Sequence, residues 1–368
     1  MGRRRDDGPR IVGILVVSKP AGPTSHDIID TVRRLTGVRR VGHGGTLDPF
    51  AMGVLPVFIG RATRMVDYHG TDSKAYRASV VFGASSSTDD IDGEMTPGAA
   101  PVPDRDTVVA VLGEFRGEIE QVPPDHSAVH VGGKRAYELA RGGEKPELAA
   151  RKVTIHRLDL TGWDTADAER PMAELEVRCS AGTYVRSLAR DLGVKLGCGA
   201  YLGALTRTAS GPFTIDSAHS LEFVRSELAA GNLERLLLSP DAGLDHIPMV
   251  AIPDKDKEAI ARGQIIRVRG EVSGPVDPAA VLQEAEVVRV LDGRGALVAM
   301  AHVSKGRLYP DKVFITPVAP AAPPQGPTPA PADAPEAAAS PAAVSPEPAA
   351  EPQPEAGTET AETSEPAS

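Results

Sequence analysis

The chain has 368 residues, 41% hydrophobic content, a formal net charge of −10 and two cysteines. This length exceeds what one hydrophobic core usually supports, so we expect two domains. No apolar run approaches the roughly 20 residues that span a bilayer, and Cys179 and Cys198 are too few for a disulfide framework or a paired-cysteine zinc site. The composition therefore predicts a cytoplasmic protein with no structural metal.

The acidic charge is concentrated at one end of the chain. Residues 319–368 contain eight acidic side chains and no Lys or Arg, which leaves a net charge of about −2 for the rest. Residues 1–80 contain 13 Lys or Arg against 7 Asp or Glu. A basic region of this kind can meet a polyanion, although ordinary solvated surface charge explains the pattern equally well.

The first element predicted along the chain is a strand. Residues 11–17 are apolar and follow three arginines, as in a signal peptide, but the acidic Asp6 and Asp7 and the missing cleavage site favour a buried strand. A helix should follow, because Thr24 and Asp27 form a potential capping box and Gly37 provides a stop. Its predicted apolar face consists of Ile28, Ile29, Val32 and Leu35.

Further along the chain, the sequence predicts two strands, a loop and a helix. Residues 74–82 alternate in hydrophobicity and predict a strand with Tyr76 on its inward side. We expect a loop over residues 83–103, whose acids Asp89, Asp90, Asp92 and Glu94 lack the spacing of an EF-hand and are interpreted as solvated or paired. Another strand is predicted over residues 172–179, then a helix from Tyr184 to Gly197 with Arg186 in its first turn, off the apolar face.

The C-terminal third contains shorter strand-like segments separated by turns. From Met249 onward, strand-like pieces at 264–268, 287–291 and 296–303 predict a small β-rich domain that ends near Val318, with a hairpin at Asp292-Gly293. Residues 319–368 are mostly Pro, Ala, Glu, Ser and Thr, a composition that predicts a disordered tail.

One glycine-rich run stands out because the chain contains no Walker loop, dinucleotide fingerprint or nucleophile elbow. In Gly42-His43-Gly44-Gly45-Thr46-Leu47-Asp48-Pro49, the glycines allow close backbone approach to a bulky ligand, and Pro49 favours an extended Asp48. By itself, a turn aspartate before a proline is more often structural than functional.

The run is similar to the signature loop of the TruB family of tRNA pseudouridine synthases, written G-H-x-G-T-L-D-P. Lys19-Pro20-x-Gly22-x-Thr24-Ser25 resembles the first motif of that family, and Cys179 to Arg186 matches a later one. Tyr76 stands where the family has a strand tyrosine, and Leu205 and Arg207 precede a matching Ser210-Gly211-Pro212-Phe213 segment. The resemblance covers residues 10–225 or so.

The resemblance implies an α+β pseudouridine synthase fold, in which helices flank a mixed, largely antiparallel sheet, followed by a small PUA-like β-rich RNA-binding domain. The expected organisation is a basic arm at 1–10, a catalytic domain at 11–245 with a tRNA-gripping insertion at 124–152, the PUA-like domain at 246–318, and the disordered tail at 319–368.

The implied activity is the isomerisation of uridine 55 in the tRNA T loop to pseudouridine, by a monomer that needs no cofactor or metal. Asp48 would be the covalent nucleophile, although the sequence leaves open whether it attacks the sugar or the base. Arg186 would pair with Asp48 and keep it ionised. Tyr76 would stack on the uracil and help to remove the C5 proton. Without a catalytic role, Arg186 would be a surface arginine at a helix start, and Tyr76 would be a core tyrosine.

The same resemblance implies further contacts with the T stem-loop of the tRNA. His43 would contact the backbone or fill the space vacated by the extruded base, Leu205 would border the pocket, and Tyr184 would either line the pocket or simply pack. Phosphate contacts are expected from Lys19, Lys134 and Arg135, with Arg141 as another candidate. The sequence departs from the family pattern at Asp125-His126 and at Ser87. These departures concern RNA grip or loop order more than the reaction.

Two other hypotheses remain at this point. The first is a non-catalytic tRNA-binding or tRNA-folding protein on the same scaffold, which would not need a presented carboxylate. The second is an unrelated α/β protein with a β-rich appendage, which would leave the ordered motifs unexplained.

Overall fold

A computed structural model describes residues 11–70, 73–127, 129–131, 133–144, 146–268 and 271–315. The predicted N-terminal arm and C-terminal tail lie outside the described residues, and so do the side chains of Lys134, Arg135 and Arg141. Within the described ranges, no helix is long and apolar enough to cross a membrane.

Strands and helices are mixed along the described chain. The strands are β1 (Gly13–Lys19), β2 (Val41–His43), β3 (Met52–Ile59), β4 (Lys74–Phe82), β5 (Ala84–Ser86), β6 (Met95–Pro97), β7 (Gly117–Gln121), β8 (His130–Val131), β9 (Lys134–Arg135), β10 (Arg151–Asp164), β11 (Met172–Cys179), β12 (Ala200–Ser210), β13 (Phe213–Thr214), β14 (His219–Ser220), β15 (Met249–Ala251), β16 (Ile266–Arg267), β17 (Val272–Ser273), β18 (Glu284–Leu291), β19 (Leu297–Ser304) and β20 (Arg307–Val313). The α-helices are α1 (Ser25–Thr36), α2 (Arg105–Leu112), α3 (Ala136–Arg141), α4 (Val185–Leu196), α5 (Leu221–Ala229), α6 (Leu233–Leu236), α7 (Asp254–Ala261) and α8 (Pro278–Gln283), with 3₁₀ turns at Gly60–His69, Gly113–Phe115 and Ile215–Ser217.

A large mixed sheet organises the first part of the chain. In the described residues its strand order is β14-β1-β3-β12-β4-β11-β10-β7, with β2 beside β3 and β13 beside β12. The pairings are antiparallel except β1 with β14 and β12 with β3. This mixed, largely antiparallel sheet with its flanking helices confirms the predicted α+β fold class.

The predicted local signals at the start of the chain hold in the structure. Helix α1 begins after Thr24, whose side chain accepts a hydrogen bond from the Asp27 N–H while Asp27 caps the Thr24 N–H in return. The helix ends at Gly37 in the left-handed conformation (φ 67°) that favours glycine. Leu35 was assigned wrongly to the buried face, because it is 37% exposed whereas Thr36 and Val38 are buried.

The centre of the sheet carries the core that supports the site. Strands β4 and β11 have the predicted boundaries, and the Val177 and Tyr76 positions are paired across them. Their inward side chains pack with α4 and α2 in one hydrophobic cluster. The expected loop at 83–103 is partly wrong, because β5 and β6 pair there as a short hairpin.

The C-terminal strands form a second sheet, confirming the predicted β-rich unit. Its order in the described residues is β16-β20-β19-β18-β15-β17, and β18 and β19 form the predicted hairpin. Phe58 of the large sheet belongs to the same hydrophobic cluster as Met300 of the second sheet and Phe314, which directly follows β20. The domain boundaries proposed from the sequence stay a prediction.

Candidate active site

The glycine-rich loop is held on both sides of Asp48, by Leu47 before it and by Gly53 after it. Leu47, 4% exposed, precedes Asp48. The Ser25 hydroxyl donates to the Leu47 carbonyl at 2.9 Å and accepts from the Leu47 N–H at 2.8 Å, so the start of α1 holds the loop. Gly53 follows in β3 with φ 101°, and a Cβ there would lie 2.2 Å from the Arg207 carbonyl oxygen. Only glycine allows β12 to pass this close to β3.

Asp48 meets Arg186 across the site. Arg186 Nε lies 3.0 Å from Asp48 Oδ2, and Arg186 Nη2 donates to Asp48 Oδ1 at 3.3 Å. The Arg186 side chain is 5% exposed, whereas that of Asp48 is 34% exposed. The arginine therefore lies beneath the carboxylate and leaves part of it accessible to a ligand.

Arg186 is also held from its far side. Its Nη1 donates to the Thr88 carbonyl at 3.1 Å and lies 3.4 Å from Asp90 Oδ2, and its Nη2 donates to the His126 carbonyl at 2.9 Å. Asp90 is itself buried at 5% exposure. One guanidinium thus joins two carboxylates and two backbone carbonyls, which fixes its orientation as the planar fork of arginine allows.

The protonation of Asp48 depends on these neighbours. Burial raises the pKa of the Asp48 carboxyl, the Arg186 guanidinium opposes this increase, and the negative charge of Asp90 adds to it. Lys19 contributes a smaller lowering of the Asp48 pKa. Arg186 is therefore the main group that keeps a partly desolvated Asp48 in its ionised form.

Tyr76 lies on β4 beside this loop. It is 9% exposed, and the Arg207 position pairs with it across β12 and β4. Burial raises the pKa of the Tyr76 hydroxyl, while the charge of Arg207 and a hydrogen bond from it oppose this shift. The hydroxyl thus stays protonated near neutral pH, and the ring lies near the start of β4.

Arg207 has a structural role that the sequence did not indicate. At 1% exposure, its guanidinium donates to the carbonyls of Val54 at 2.7 Å, Gly45 at 3.1 Å and Thr46 at 3.4 Å. Gly45, with φ 105°, turns the loop toward this guanidinium. The buried arginine thereby ties the loop that carries Asp48 to the strand pair that carries Tyr76.

Lys19 does not fit the predicted phosphate contact. It is 1% exposed, and its ammonium donates to the backbone carbonyls of Pro20 at 2.9 Å, Pro49 at 3.1 Å and Ala51 at 2.7 Å. Burial lowers the pKa of Lys19 to about 8. An ammonium beside a turn thus satisfies its three donors on nearby carbonyls instead of reaching solvent, and the phosphate contact stays a prediction.

The remaining predicted residues differ in their surroundings. His43 ends β2 half-buried; its pKa is lowered by burial, and its buried Nδ1 has no hydrogen-bond partner among the described residues. Leu205, 7% exposed, belongs to the same core cluster as Leu47 and Tyr76. Tyr184 precedes α4, with the Arg151 guanidinium 4.6 Å from its ring centroid. Lys134 and Arg135 belong to the hairpin β8–β9. Their side chains, which would make the expected phosphate contacts, are not among those that the structure describes.

The sequence did not identify the partner of one further acid at this site. Asp90 was interpreted as solvated or paired, and the structure shows it paired with Arg186. Asp90 lies 96 residues before Arg186 in the chain, and no spacing signal relates the two. Among the described residues, no group of three or more His, Cys, Asp or Glu side chains could hold a metal ion.

Comparison with known proteins defines the class. The model of the TruB family pseudouridylate synthase N-terminal domain matches residues 33–185, and that of the tRNA pseudouridylate synthase B C-terminal domain matches residues 186–245. Fold and matches together define a pseudouridine synthase, an isomerase. The chain belongs to the TruB family of these enzymes.

Relatives cover most of the chain. A protein of Bacillus licheniformis named tRNA pseudouridine synthase B is 42% identical over 82% of this chain and 97% of its own length. One of the same name from Symbiobacterium thermophilum is 48% identical over 70% of this chain and 84% of its own length. The crystal structure of a Cbf5-Nop10-Gar1 complex contains a similar chain, with a TM-score of 0.61, 25% identity and coverage of 83% of this chain and 85% of that one.

Proposed function

We propose that this protein converts uridine 55 in the T loop of tRNA to pseudouridine, with Asp48 as the covalent nucleophile. The observation that carries the proposal is the pairing of a one-third exposed Asp48 carboxylate with a buried Arg186 guanidinium. A carboxylate with only a structural role would have no need of this combination of a partly exposed side chain and a buried counter-ion. The tRNA substrate is supported by the names of the relatives, and position 55 by the motif resemblance.

The reaction requires one bond to break and another to form between the same two partners. The bond from ribose C1′ to uracil N1 breaks, the base turns, and C1′ joins uracil C5. The proton of C5 is lost and N1 gains one, so the product is an isomer and no redox step is needed. Asp48 forms its ester with one of two electrophilic carbons, ribose C1′ or uracil C6, and this ester is cleaved before the product leaves.

Each neighbour of Asp48 has a role in this scheme. Arg186 keeps Asp48 ionised and orients its carboxylate. Tyr76 stacks on the uracil after the base has been extruded from the T loop, and its hydroxyl assists the transfer of the C5 proton. Base extrusion costs a few kcal/mol, and stacking on an aromatic ring returns about 1 to 3 kcal/mol. Leu205 borders the pocket, and His43 contacts the RNA backbone beside the vacated position.

A direct assay tests the proposal. Unmodified tRNA and the same tRNA with cytidine at position 55 are incubated with the wild type and with Asp48→Asn, and pseudouridine is mapped chemically. We expect modification only at position 55, only in the first tRNA and only with the wild type. Modification elsewhere, or equal product from Asp48→Asn, would contradict the assignment.

A matched control separates loss of charge from loss of the nucleophile. Asp106→Asn removes a carboxylate whose side chain is 92% exposed on α2, and it should leave the rate unchanged. Binding measured in parallel distinguishes the alternative hypothesis. A protein that binds and folds tRNA without modifying it would give no pseudouridine with any variant and the same affinity in Asp48→Asn.

A further inference from the structure

The helix that carries Arg186 begins without a cap of its own. Tyr184 is the N-cap residue of α4 and makes no side-chain cap hydrogen bond. Serine, threonine, aspartate and asparagine usually fill this position, because their side chains satisfy the free N–H groups of the first turn. Contacts from another part of the chain can therefore contribute to the position of this helix end.

Gln121 binds the backbone of the N-cap residue itself. It is the last residue of β7 and is 1% exposed. Its side-chain Oε1 accepts the Tyr184 N–H at 2.8 Å, and its Nε2 donates to the Tyr184 carbonyl at 3.0 Å. One amide thus pairs with both backbone groups of one residue, in the way that a neighbouring strand would. This pairing restricts both the position and the rotation of the peptide groups that start α4.

Arg151, on the neighbouring strand β10, also contacts Tyr184. Gln121 and Arg151 are paired positions of β7 and β10. The Arg151 guanidinium lies 4.6 Å from the centroid of the Tyr184 ring and donates to the Gly182 carbonyl. The pair therefore holds Tyr184 by its backbone and by its ring; we call Gln121 and Arg151 the Tyr184 clamp.

The segment that follows Gln121 contacts α4 and reaches Arg186. The Val122 carbonyl accepts from the Ser187 hydroxyl at 2.8 Å and from Arg190 Nη2 at 2.9 Å. A few residues later, the His126 carbonyl accepts from Arg186 Nη2 at 2.9 Å. One short segment after β7 thus docks the first turns of α4 and also touches the Arg186 guanidinium.

We infer that Gln121 is a positioning residue for the reaction: with Arg151 it fixes the start of α4, so that Arg186 lies against Asp48. This inference rests on the proposed role of Asp48. Gln121 is too deeply buried to serve as a surface contact for RNA, and its two hydrogen bonds end on the residue two positions before Arg186. A shift of about 1 Å in a catalytic group can cost on the order of 100-fold in rate.

Two substitutions probe the amide directly. Gln121→Glu keeps the shape and the acceptor for the Tyr184 N–H, but it directs a carboxylate oxygen at the Tyr184 carbonyl in place of a donor. Gln121→Met keeps the approximate volume and removes both hydrogen bonds. Val224→Ala, on α5, serves as the control for a general loss of stability, since Val224 is fully buried and belongs to a different hydrophobic cluster from Val185 of α4.

The readouts are the single-turnover rate, tRNA affinity, melting temperature and the acidic limb of the pH–rate profile. We expect both Gln121 variants to lose about tenfold or more in rate, with tRNA affinity within about twofold, a difference of only 0.4 kcal/mol. The acidic limb should move to higher pH, because a displaced Arg186 no longer opposes the effects of burial and of Asp90 on Asp48, and the lowering by Lys19 is smaller. Val224→Ala should lower the melting temperature while leaving the rate and the acidic limb unchanged.

The result that overturns the inference is specific. If the wild type is active and the Gln121 variants lose stability with an unchanged rate and limb, as in the control, Gln121 is merely structural. If the Gln121 variants do not fold, Arg151→Met tests the same clamp from a partly exposed side chain, and a wild-type rate and limb there would refute it. Failure of the proposed function is distinguishable, because it would appear as an inactive wild type or an active Asp48→Asn.

Discussion

Arg186 and Asp48 are 138 residues apart in the chain, yet Arg186 Nε lies 3.0 Å from Asp48 Oδ2. The strand β11 leads into the helix that carries the arginine, and β3 follows the loop that carries the aspartate. Because these elements belong to one sheet and its packed helix, the pair has little freedom to separate. The chemistry proposed for Asp48 depends on this arrangement, and its neighbours can be tested one at a time.

Replacing Arg186 by lysine should slow the reaction without abolishing tRNA binding. An ammonium keeps the positive charge but cannot reach Asp48, Asp90 and two carbonyls in fixed directions as the guanidinium does. We expect a loss of about 100-fold or more in the single-turnover rate, the size of effect seen when an oriented electrostatic contact is removed. Arg105→Lys, on an exposed pair with Asp106, is the matched control. A rate within twofold of wild type would show that Arg186 does not orient Asp48.

Replacing Asp90 by asparagine should extend activity to lower pH. The negative charge of Asp90 raises the pKa of Asp48, so its removal lowers that pKa and keeps the nucleophile ionised under more acidic conditions. Activity is present above the Asp48 pKa and lost below it, so the acidic limb of the rate profile moves toward lower pH. Rates measured from pH 5 to 9 check this direction. A shift to higher pH would mean that Asp90 acts mainly by orienting Arg186.

Substitutions of Tyr76 should separate stacking from proton transfer. Tyr76→Phe keeps the ring and loses the hydroxyl, so base binding should persist while the chemical step slows. Tyr76→Leu also removes the aromatic face and should lose a further 1 to 3 kcal/mol or so of interaction with the base. Comparison of kcat and KM for the two variants checks this order. Equal activity of the leucine and phenylalanine variants would argue against stacking.

Replacing Lys19 by methionine should leave the salt dependence of tRNA binding unchanged. Each phosphate contact contributes close to one unit to the slope of log affinity against log salt. Lys19 is 1% exposed and its donors face backbone carbonyls, so it adds nothing to this slope. The variant should instead be less stable, since the buried Pro49 and Ala51 carbonyls lose their donor at a cost of about 1 to 3 kcal/mol each. A slope reduced by about one would restore the original phosphate assignment.

Prediction from the sequence worked where the signal is local. Strands β4 and β11 have their predicted boundaries, because an alternating pattern identifies an amphipathic strand regardless of its partners. The start and end of α1 likewise follow from a capping box and a glycine. Leu35 was misplaced because its exposure depends on what packs against the last helical turn, which periodicity does not specify.

The site was predictable only through its resemblance to a known family. Local reasoning about Asp48 favoured a turn aspartate, and nothing in the spacing pairs it with Arg186. Asp90 was interpreted as a solvated or paired acid, and the structure confirms the second alternative, since it is buried and lies 3.4 Å from Arg186, a partner that the sequence did not identify. Gln121 gave no signal, since its two hydrogen bonds are made to a backbone 63 residues away.

The sequence by itself determined the local elements and, through its ordered motifs, the membership of a pseudouridine synthase family. The tertiary structure alone decided which of the charged residues face solvent and which are buried. Lys19 and Arg207 are nearly inaccessible and bind loop carbonyls, whereas Asp48 keeps part of its carboxylate exposed. The physical reason is that the free energy of a charge depends on its desolvation and its partners, and both come from segments distant in the chain.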